Sequence, residues 1–307
     1  MREKNHNPKR LKDNLNDLAY LSPQLVLYTI FIILPFFIGF PMMFTSMRSL
    51  MDTTVQWVGF ENFRIILFDR DSYEHQLLLN SLYRNGIFFL LNYFFVFAFG
   101  LSFALFMYKG RFGQGFFTII YLPMMVSGLA MGFMATMLFA KSSGSLNLLL
   151  LKLGIIKKAI NIQSDLGSMF ILPLIVGWQY AGYNMGIFLS GLYSIPEETI
   201  EAAIVDGANA WQRLTRVLIP QMWPSVIIAT VMCITGSFQI FDQAVALGAL
   251  GGNKNVEFVV VAFFKLAFSA RGGNAIARAT TMTMIVAVPL LLVSGVLLIL
   301  QRRVQKQ

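Results

Sequence analysis

The sequence has little of the chemistry on which metal sites and many enzymes depend, with one cysteine and two histidines among 307 residues. Because Cys233 has no partner in the chain, internal disulfides and cysteine-based zinc sites are excluded. His6 and His75 lie outside the long apolar runs, so no histidine-based metal or catalytic cluster can be drawn. The phosphate-binding pattern G-x-x-x-x-G-K-[ST] is missing as well, which excludes a P-loop ATPase. The chain is therefore predicted to be neither an enzyme nor a metal-binding protein.

Charged residues are scarce too, at 13% of the chain, whereas 56% of the residues are hydrophobic and the mean hydropathy is +0.65. A soluble globular domain usually has about 25% charged residues, so this composition indicates a membrane protein. The charge-free runs are 18–47, 85–108, 112–140, 166–196, 217–241 and 279–301. A helix needs about 20 apolar residues to cross the hydrocarbon core, and each run can supply one. The sequence predicts an all-α polytopic membrane protein with six transmembrane helices.

The two ends of the chain are basic and indicate an orientation. Five of the first twelve residues are lysine or arginine, and the last six residues include three more. Since basic flanks favour the cytoplasmic side, we predict a cytoplasmic tail at 1–17, a transmembrane domain at 18–301 and a second cytoplasmic tail at 302–307. These flanks also explain the net charge of +9 without a nucleic-acid partner. The first run is too long for the apolar region of a cleaved signal peptide, and we expect it to remain as the first span.

The polar stretch at 193–223 has the local signals of two short helices. Ser194 can be the N-cap of the first helix, with Glu197 closing a capping box. Gly207 can end that helix in the left-handed conformation, and Asn209 can cap the second helix. A helical hairpin of this kind suits docking to a soluble partner, although a well-capped loop without a partner would have the same signals. Local chemistry leaves both interpretations open.

The same stretch resembles the EAA loop of ABC importer permeases. The pattern of that loop is E-A-A, three residues of any type, G, nine residues of any type, and then I-x-L-P. The matching residues are Glu201, Ala202, Ala203, Gly207, Val217, Ile219 and Pro220. Val217 replaces the family's isoleucine, and Ile219 replaces its leucine. Ile195-Pro196 and Asp206-Gly207-Ala208 narrow the resemblance to the carbohydrate-uptake branch, which includes the maltose and glycerol-phosphate permeases.

Two further stretches are similar to the same branch. Residues 59–63, with the sequence GFENF, resemble the G-L-x-N-[YF] segment that follows the first span of those permeases. Residues 238–242, FQIFD, followed by Gly251-Gly252, resemble the sugar-permease pattern F-x-x-F-D…T-x-G-G-P. The threonine and the proline of that pattern are not present here, so the external turn is expected to be built differently.

The resemblance implies a permease subunit that forms half of the translocation pathway of an ATP-binding-cassette importer. The substrate would be a sugar or oligosaccharide delivered by an extracytoplasmic solute-binding protein, in the cytoplasmic membrane of a prokaryote. A second, paralogous permease and two ATPase subunits are implied as partners, with ATP and Mg on the ATPase and no cofactor on this chain. The residues implied in coupling to the ATPase are Glu201, Ala202, Ala203, Asp206 and Gly207.

The fourth run contains an unusually aromatic and amide-rich patch at 178–184. Aromatic rings stack on sugar rings and amides bind hydroxyls, which is the lining expected of a ligand pocket. Hydrogen bonds between helices are the alternative use of such amides. By register from Ile195-Pro196, two tyrosines fall at positions that contact sugar in the maltose permease. The predicted pathway residues are Gln179, Tyr180, Tyr183, Asn184 and Gln239.

Asp242 is the one acidic residue within or at the edge of a predicted span, which makes it a functional candidate. A position at the outer headgroup level and a structural pair with Arg278 are the alternatives, and a structural or gating role is favoured. An ion-coupled secondary transporter would need more intramembrane charges than this and would leave the EAA-like stretch unexplained. An ABC permease for a solute other than a sugar is the remaining alternative.

Overall fold

Regular structure in this protein is helical, as predicted. The computed structural model describes residues 19–49, 51–108, 110, 114–163, 167–268 and 274–304. Within these ranges the only β-type pairing is one isolated antiparallel bridge between Thr45 and Trp57. The all-α class is therefore confirmed. The predicted tail at 1–17 lies outside the described residues, whereas 302–304 continue the last helix.

Among the described residues, three helices are long and apolar enough to cross a membrane without interruption, namely α1 (Ala19–Met42), α3 (Tyr73–Met107) and α14 (Ala275–Val304). The shorter helices in chain order are α2 (Glu61–Phe68), α4 (Gln114–Tyr121), α5 (Gly128–Leu138), α6 (Ser145–Lys152), α7 (Ser168–Gln179), α8 (Ala181–Tyr193), α9 (Glu197–Val205), α10 (Ala210–Gln221), α11 (Trp223–Phe238), α12 (Asp242–Ala246) and α13 (Val259–Phe268). Short 3₁₀ turns at Leu122–Met125 and Lys254–Val256 complete the list.

The other predicted spans are interrupted. The chain bends by 91° between the 3₁₀ turn after α4 and the start of α5, and by 72° between α10 and α11. The run at 166–196 is divided at Tyr180 into α7 and α8. By length and composition the described residues offer three continuous spans, or up to five if each bent pair is one span, so the count of six is not confirmed. Hydropathy cannot detect such breaks, because a bent run stays as apolar as a straight one.

Helix α3 is central to the packing, with α7, α8, α11 and α13 against it. Its buried residues recur every three or four positions along one face, at Asn85, Phe88, Asn92, Val96, Gly100 and Ala104. In a membrane such contacts are stabilised by close packing rather than by exclusion of water, and small residues allow it. At Gly100 an added Cβ would lie 2.8 Å from the Cβ of Asn184 on α8. This close approach holds α8 firmly against α3.

An ion pair at the start of α3 ties this helix to α14. Glu74 in its first turn pairs with Arg278 of α14, and both side chains are mostly buried. The proposed pair between Arg278 and Asp242 is therefore wrong. Helix α14 presents Arg278 to the start of α3, where Glu74 already neutralises it, and Asp242 is exposed at the start of α12.

Candidate functional site

A cavity of about 550 Å³ lies where three interruptions of the helices meet. The break between α4 and α5 contributes Met124 and Gly128, and the break between α7 and α8 contributes Tyr180. The break between α11 and α12 contributes Gln239 and Asp242. Irregular backbone is tolerated at membrane depth where it is buried in protein or lines a cavity, and this site satisfies that condition.

Side-chain amides satisfy the backbone groups that the breaks set free. Nε2 of Gln179 donates to the carbonyl of Val126 at 2.9 Å, and Oε1 of Gln179 accepts from Nε2 of Gln243 at 3.3 Å. The carbonyl of Tyr180 accepts from Nδ2 of Asn184 at 2.9 Å and from its backbone N–H at 3.1 Å. These bonds hold the wall of the cavity in a fixed shape.

Gln179 belongs to that supporting network and does not line this cavity, so its role in the pathway stays a prediction. Its side chain is 1% exposed, and both ends of the amide are engaged. The physical reason is its position at the last turn of α7, where it faces the neighbouring break and not the lumen. Hydrogen bonding between helices, the alternative stated for this patch, describes Gln179 correctly.

The other predicted pathway residues, Tyr180, Tyr183, Asn184 and Gln239, all line the cavity. Tyr180 is 36% exposed, while the amide of Asn184 is largely buried by its bond to the Tyr180 carbonyl. Trp178, two residues before Tyr180, is also exposed but is not part of the lining. Tyrosine rings beside amides can stack on a sugar ring and bind its hydroxyls. A substrate contact by any of these residues stays a prediction.

Sequence reasoning missed several lining residues, above all Asn92 on α3 and Gln243 on α12. Asn92 is one of two asparagines in the charge-free run 85–108, and an amide within such an apolar run is a signal that could have identified it. Gln243 directly follows Asp242, but its hydrogen bond with Gln179 could not be predicted from helix periodicity alone. Cys233 on α11 also lines the cavity.

Asp242 is an exposed member of the cavity lining at the first position of α12. Its carboxylate has no ion-pair partner within the described ranges. A structural or gating role for it therefore stays a prediction. The described residues also contain no group of three His, Cys, Asp or Glu side chains close enough to hold a metal ion.

The stretch at 193–223 folds into the two predicted helices, α9 and α10, but the first begins differently from the prediction. Ser194 is not its N-cap. The Ser194 hydroxyl donates to the carbonyl of Gly191 at 2.7 Å and so closes the end of α8. Pro196 is the N-cap of α9, without a side-chain hydrogen bond. The serine lies too close to the preceding helix to serve the next one.

The turn between α9 and α10 agrees with the prediction. Gly207 has a φ of 78°, and its N–H donates to the carbonyl of Ile204. The N–H of Ala208 donates to the carbonyl of Ala203, which completes a Schellman motif. Asn209 then caps α10 in a full capping box with Gln212. The hairpin is therefore specified by its local sequence.

One face of the hairpin is exposed and partly apolar, and the other is buried. Val205, Trp211 and Ile204 are 86%, 71% and 53% exposed. Glu201, Ala202, Asp206 and Gly207 are exposed as well, whereas Ala203 is half-buried. Large exposed apolar side chains in a polar loop are typical of a docking surface. The EAA pattern does not include these side chains, so the resemblance alone did not identify this face.

The buried face of the hairpin joins it to the cavity. Ile200 of α9 packs in one cluster with Phe188 and Leu192 of α8. Helix α8 also contains Tyr183 and Asn184 of the cavity lining. One helix, α8, therefore packs against the hairpin near one end and lines the cavity near the other.

Residues 97–306 match the model of the family described as binding-protein-dependent transport system inner membrane component. The match covers more than half of the chain and includes the hairpin at 193–223. Of the residues that line the cavity, Asn92 and Val96 precede the matched range.

Curated relatives extend the similarity to nearly the whole chain. The probable starch degradation products transport system permease protein AmyD of Thermoanaerobacterium thermosulfurigenes is 25% identical, over 97% of this chain and 98% of the relative. The probable ABC transporter permease protein YesP of Bacillus subtilis (strain 168) is 30% identical, over 76% of this chain and 73% of the relative.

Among solved structures, the fold is similar to a chain of a bacterial alginate ABC transporter in complex with an alginate pentasaccharide-bound periplasmic protein. The TM-score is 0.75 at 20% identity, covering 97% of this chain and 98% of that chain. This likeness establishes the importer-permease fold.

Proposed function

The chain belongs to the family of binding-protein-dependent transport system inner membrane components, and from that membership we propose that it forms half of the translocation pathway of an ATP-driven oligosaccharide importer. Membership identifies a multi-pass transport subunit of the inner membrane and not an enzyme. The name of AmyD, a permease for starch degradation products, supports a carbohydrate as the substrate.

The observation that supports a carbohydrate pathway most directly is the lining of the cavity. Tyr180 and Tyr183 provide aromatic faces, and Asn184 and Gln239 provide amides within the same 550 Å³. A polyhydroxylated ring offers apolar faces for stacking and hydroxyls for hydrogen bonding, and this lining complements both. Asp242 is the only acidic or basic residue in the lining that the structure describes, which leaves ion coupling with little support.

Coupling to ATP hydrolysis is proposed to occur through α9 and its turn. A permease without a nucleotide site can be driven only by mechanical contact with an ATPase, and the exposed face around Val205 and Gly207 is suited to such contact. The buried contact of Ile200 with α8 supports transmission from that face to the cavity. The proposed partners are two ATPase subunits that bind ATP and Mg, a second permease and an extracytoplasmic solute-binding protein.

Orientation is part of the proposal, with both termini and α9 in the cytoplasm and 48–80 outside. The sequence lets one test this with single cysteines in a Cys233→Ser background. Met51 and Val205 are 92% and 86% exposed, so cysteines placed there are accessible to a reagent. A membrane-impermeant maleimide is expected to label Met51→Cys on intact cells and Val205→Cys only after permeabilisation. The reverse pattern would overturn the orientation.

The function is tested by uptake into vesicles that contain the assembled transporter and its solute-binding protein. The probes are radiolabelled maltotriose, arabinotriose, xylotriose and an alginate trisaccharide. We expect saturable uptake of one trisaccharide that requires internal ATP and persists when ion gradients are collapsed. Uptake that follows an ion gradient without ATP would instead identify a secondary transporter. ATP-dependent uptake of an unrelated solute, with none of the four sugars imported, would contradict the carbohydrate assignment alone.

A further inference from the structure

Asn92 is the polar residue that the central helix contributes to the cavity. Helix α3 provides only Asn92 and Val96 to the lining, one turn apart, and the other lining residues come from the helices around it. Asn92 is 5% exposed, so its amide is almost entirely removed from solvent. Neither the family-like motifs nor the aromatic patch at 178–184 includes it.

In the side chain of Asn92, only the amide nitrogen forms hydrogen bonds with other described residues. Its Nδ2 donates to Sγ of Cys233 at 3.4 Å and to Oγ of Ser237 at 3.3 Å. The bond to Oγ of Ser237 is long, and sulfur is a weak acceptor. Its Oδ1 is buried and has no donor in the part of the chain that the structure describes. A buried amide oxygen without a donor is unfavourable, and a donor on a molecule bound in the cavity would satisfy it.

Asn85, two turns earlier on the same face of α3, shows what a structural asparagine in this helix is like. Its Nδ2 donates to the carbonyl of Ser237 at 2.7 Å, and its Oδ1 accepts from the N–H of Val259 at 2.7 Å. Both halves of that amide are used, and Asn85 does not line the cavity. The two asparagines approach the same residue of α11, but only Asn92 has an acceptor to spare.

We propose that Asn92 is a specificity-determining residue of the pathway, and that its Oδ1 accepts a hydrogen bond from one hydroxyl group of the saccharide. This inference rests on the proposed function, since it requires a hydroxyl-rich substrate in the cavity. The terminal torsion of asparagine is soft, and rotation of the amide costs only the two weak bonds from Nδ2 to Cys233 and Ser237. Because Oδ1 already lacks a donor, turning it toward the cavity breaks no bond of its own, and a sugar hydroxyl supplies the missing donor.

An acceptor at this position selects by chemistry as well as by size. A hydroxyl group can donate to Oδ1, whereas a hydrogen in its place cannot. A site built to bind a hydroxyl discriminates against the analogue that lacks it, because the buried polar group is then left unpaired. The preference for a substrate with that hydroxyl group would depend on the amide of Asn92. We expect the preference to be lost when the amide is removed.

The test compares uptake of maltotriose and of its monodeoxy derivatives, each of which lacks one hydroxyl, by wild-type and Asn92→Leu importers. If another trisaccharide of the panel is the one imported, its monodeoxy derivatives replace those of maltotriose. The same solute-binding protein is used throughout, so its own preferences cancel in the ratio between the two importers. We expect Asn92→Leu to raise the half-saturating concentration of the parent sugar about tenfold, the loss of one hydrogen bond in a buried site. One deoxy derivative is expected to be transported equally by both importers.

Asn85→Leu is the matched control, because it removes an amide from the same helix face without touching the cavity. It is expected to lower the yield and the melting temperature of the assembled complex and to leave the ranking of the sugars unchanged. Asn92→Leu should keep near wild-type yield. If Asn92→Leu weakens uptake of the parent sugar and of every derivative by the same factor, its role is structural and the inference is overturned. Wild-type importers that take up none of the sugars would overturn the proposed carbohydrate substrate and this inference together.

Discussion

The hairpin at 193–223 and the cavity are built in opposite ways. The hairpin is one continuous stretch, 193–223, whose helices and turn follow from neighbouring residues. The cavity collects residues from Asn92 to Gln243, separated by about half of the chain. The hairpin is exposed and the cavity is set among buried amides. Docking elements can thus be recognised from a local pattern, whereas a substrate pathway depends on how distant helix breaks come together.

The two regions are nevertheless connected through α8. Tyr183 and Asn184 lie near its start and line the cavity, while Phe188 and Leu192 pack against Ile200 of the hairpin. Since a packed helix moves as a rigid element, a change at either end can affect the other. Substitutions that change only complex assembly, only substrate affinity or only stability would test how independent the two regions are.

The largest effect is expected from Gly207→Val in the hairpin. Gly207 has a φ of 78°, and a side chain in the left-handed region costs about 1–2 kcal/mol. An added Cβ would meet nothing within 4 Å, so the cost is in the backbone and not in crowding. The turn should change its direction and the exposed face should no longer match the ATPase. We expect normal membrane insertion with loss of co-purifying ATPase and of ATP-driven uptake.

Gly154 is the matched control for that prediction. It ends α6 in the same Schellman arrangement, with a φ of 70° and nothing within 4 Å of an added Cβ. Gly154→Val should have the same local cost, yet on the proposed external side it should retain the ATPase and uptake. Equal loss of assembly in both variants would mean that general destabilisation, and not docking, explains Gly207→Val.

An intermediate effect is expected from Tyr180→Ala and Tyr183→Ala in the cavity. Loss of one stacking or hydrogen-bonding contact in a buried site costs about 1–3 kcal/mol, or roughly a five- to 150-fold rise in the half-saturating concentration. Complex assembly and basal ATPase activity should persist, because neither residue is in the hairpin. Trp178→Ala is the control, since Trp178 is an exposed aromatic residue nearby that is not in the lining. Unchanged uptake kinetics in both tyrosine variants would remove them from the pathway.

The smallest effect is expected from Asp242→Asn. Asp242 is exposed and has no ion-pair partner among the described residues, so its neutralisation should change the free energy of unfolding by less than about 0.5 kcal/mol. Glu74→Gln should instead cost about 1–3 kcal/mol, because it leaves the mostly buried Arg278 without its counter-charge. Thermal unfolding of the assembled complex measures both. A gating role for Asp242 would appear as altered uptake at unchanged stability, and a large loss of stability would indicate an unrecognised structural partner.

Local sequence was sufficient for the elements whose bonds are made between near neighbours. The capping box of Asn209, the left-handed turn at Gly207 and the helical character of the apolar runs were predicted correctly. The N-cap assigned to Ser194 was wrong because two helices compete for the same residue, and only the packed chain decides which of them it closes. The pattern of charges could not detect the interruption at Tyr180, since the broken run remains apolar.

The sequence by itself determined that this protein is an all-α membrane subunit of a transport system and where its helical hairpin lies, because composition and short-range hydrogen bonding are local properties. Only the tertiary structure decided which amides line the cavity and which support it. Gln179 is buried in a network with Val126 and Gln243, while Asn92 reaches the lining from the central helix. Both are amides in apolar runs, and nothing adjacent in the chain distinguishes them. Their roles differ because the donors and acceptors that face each of them come from helices far away in the sequence.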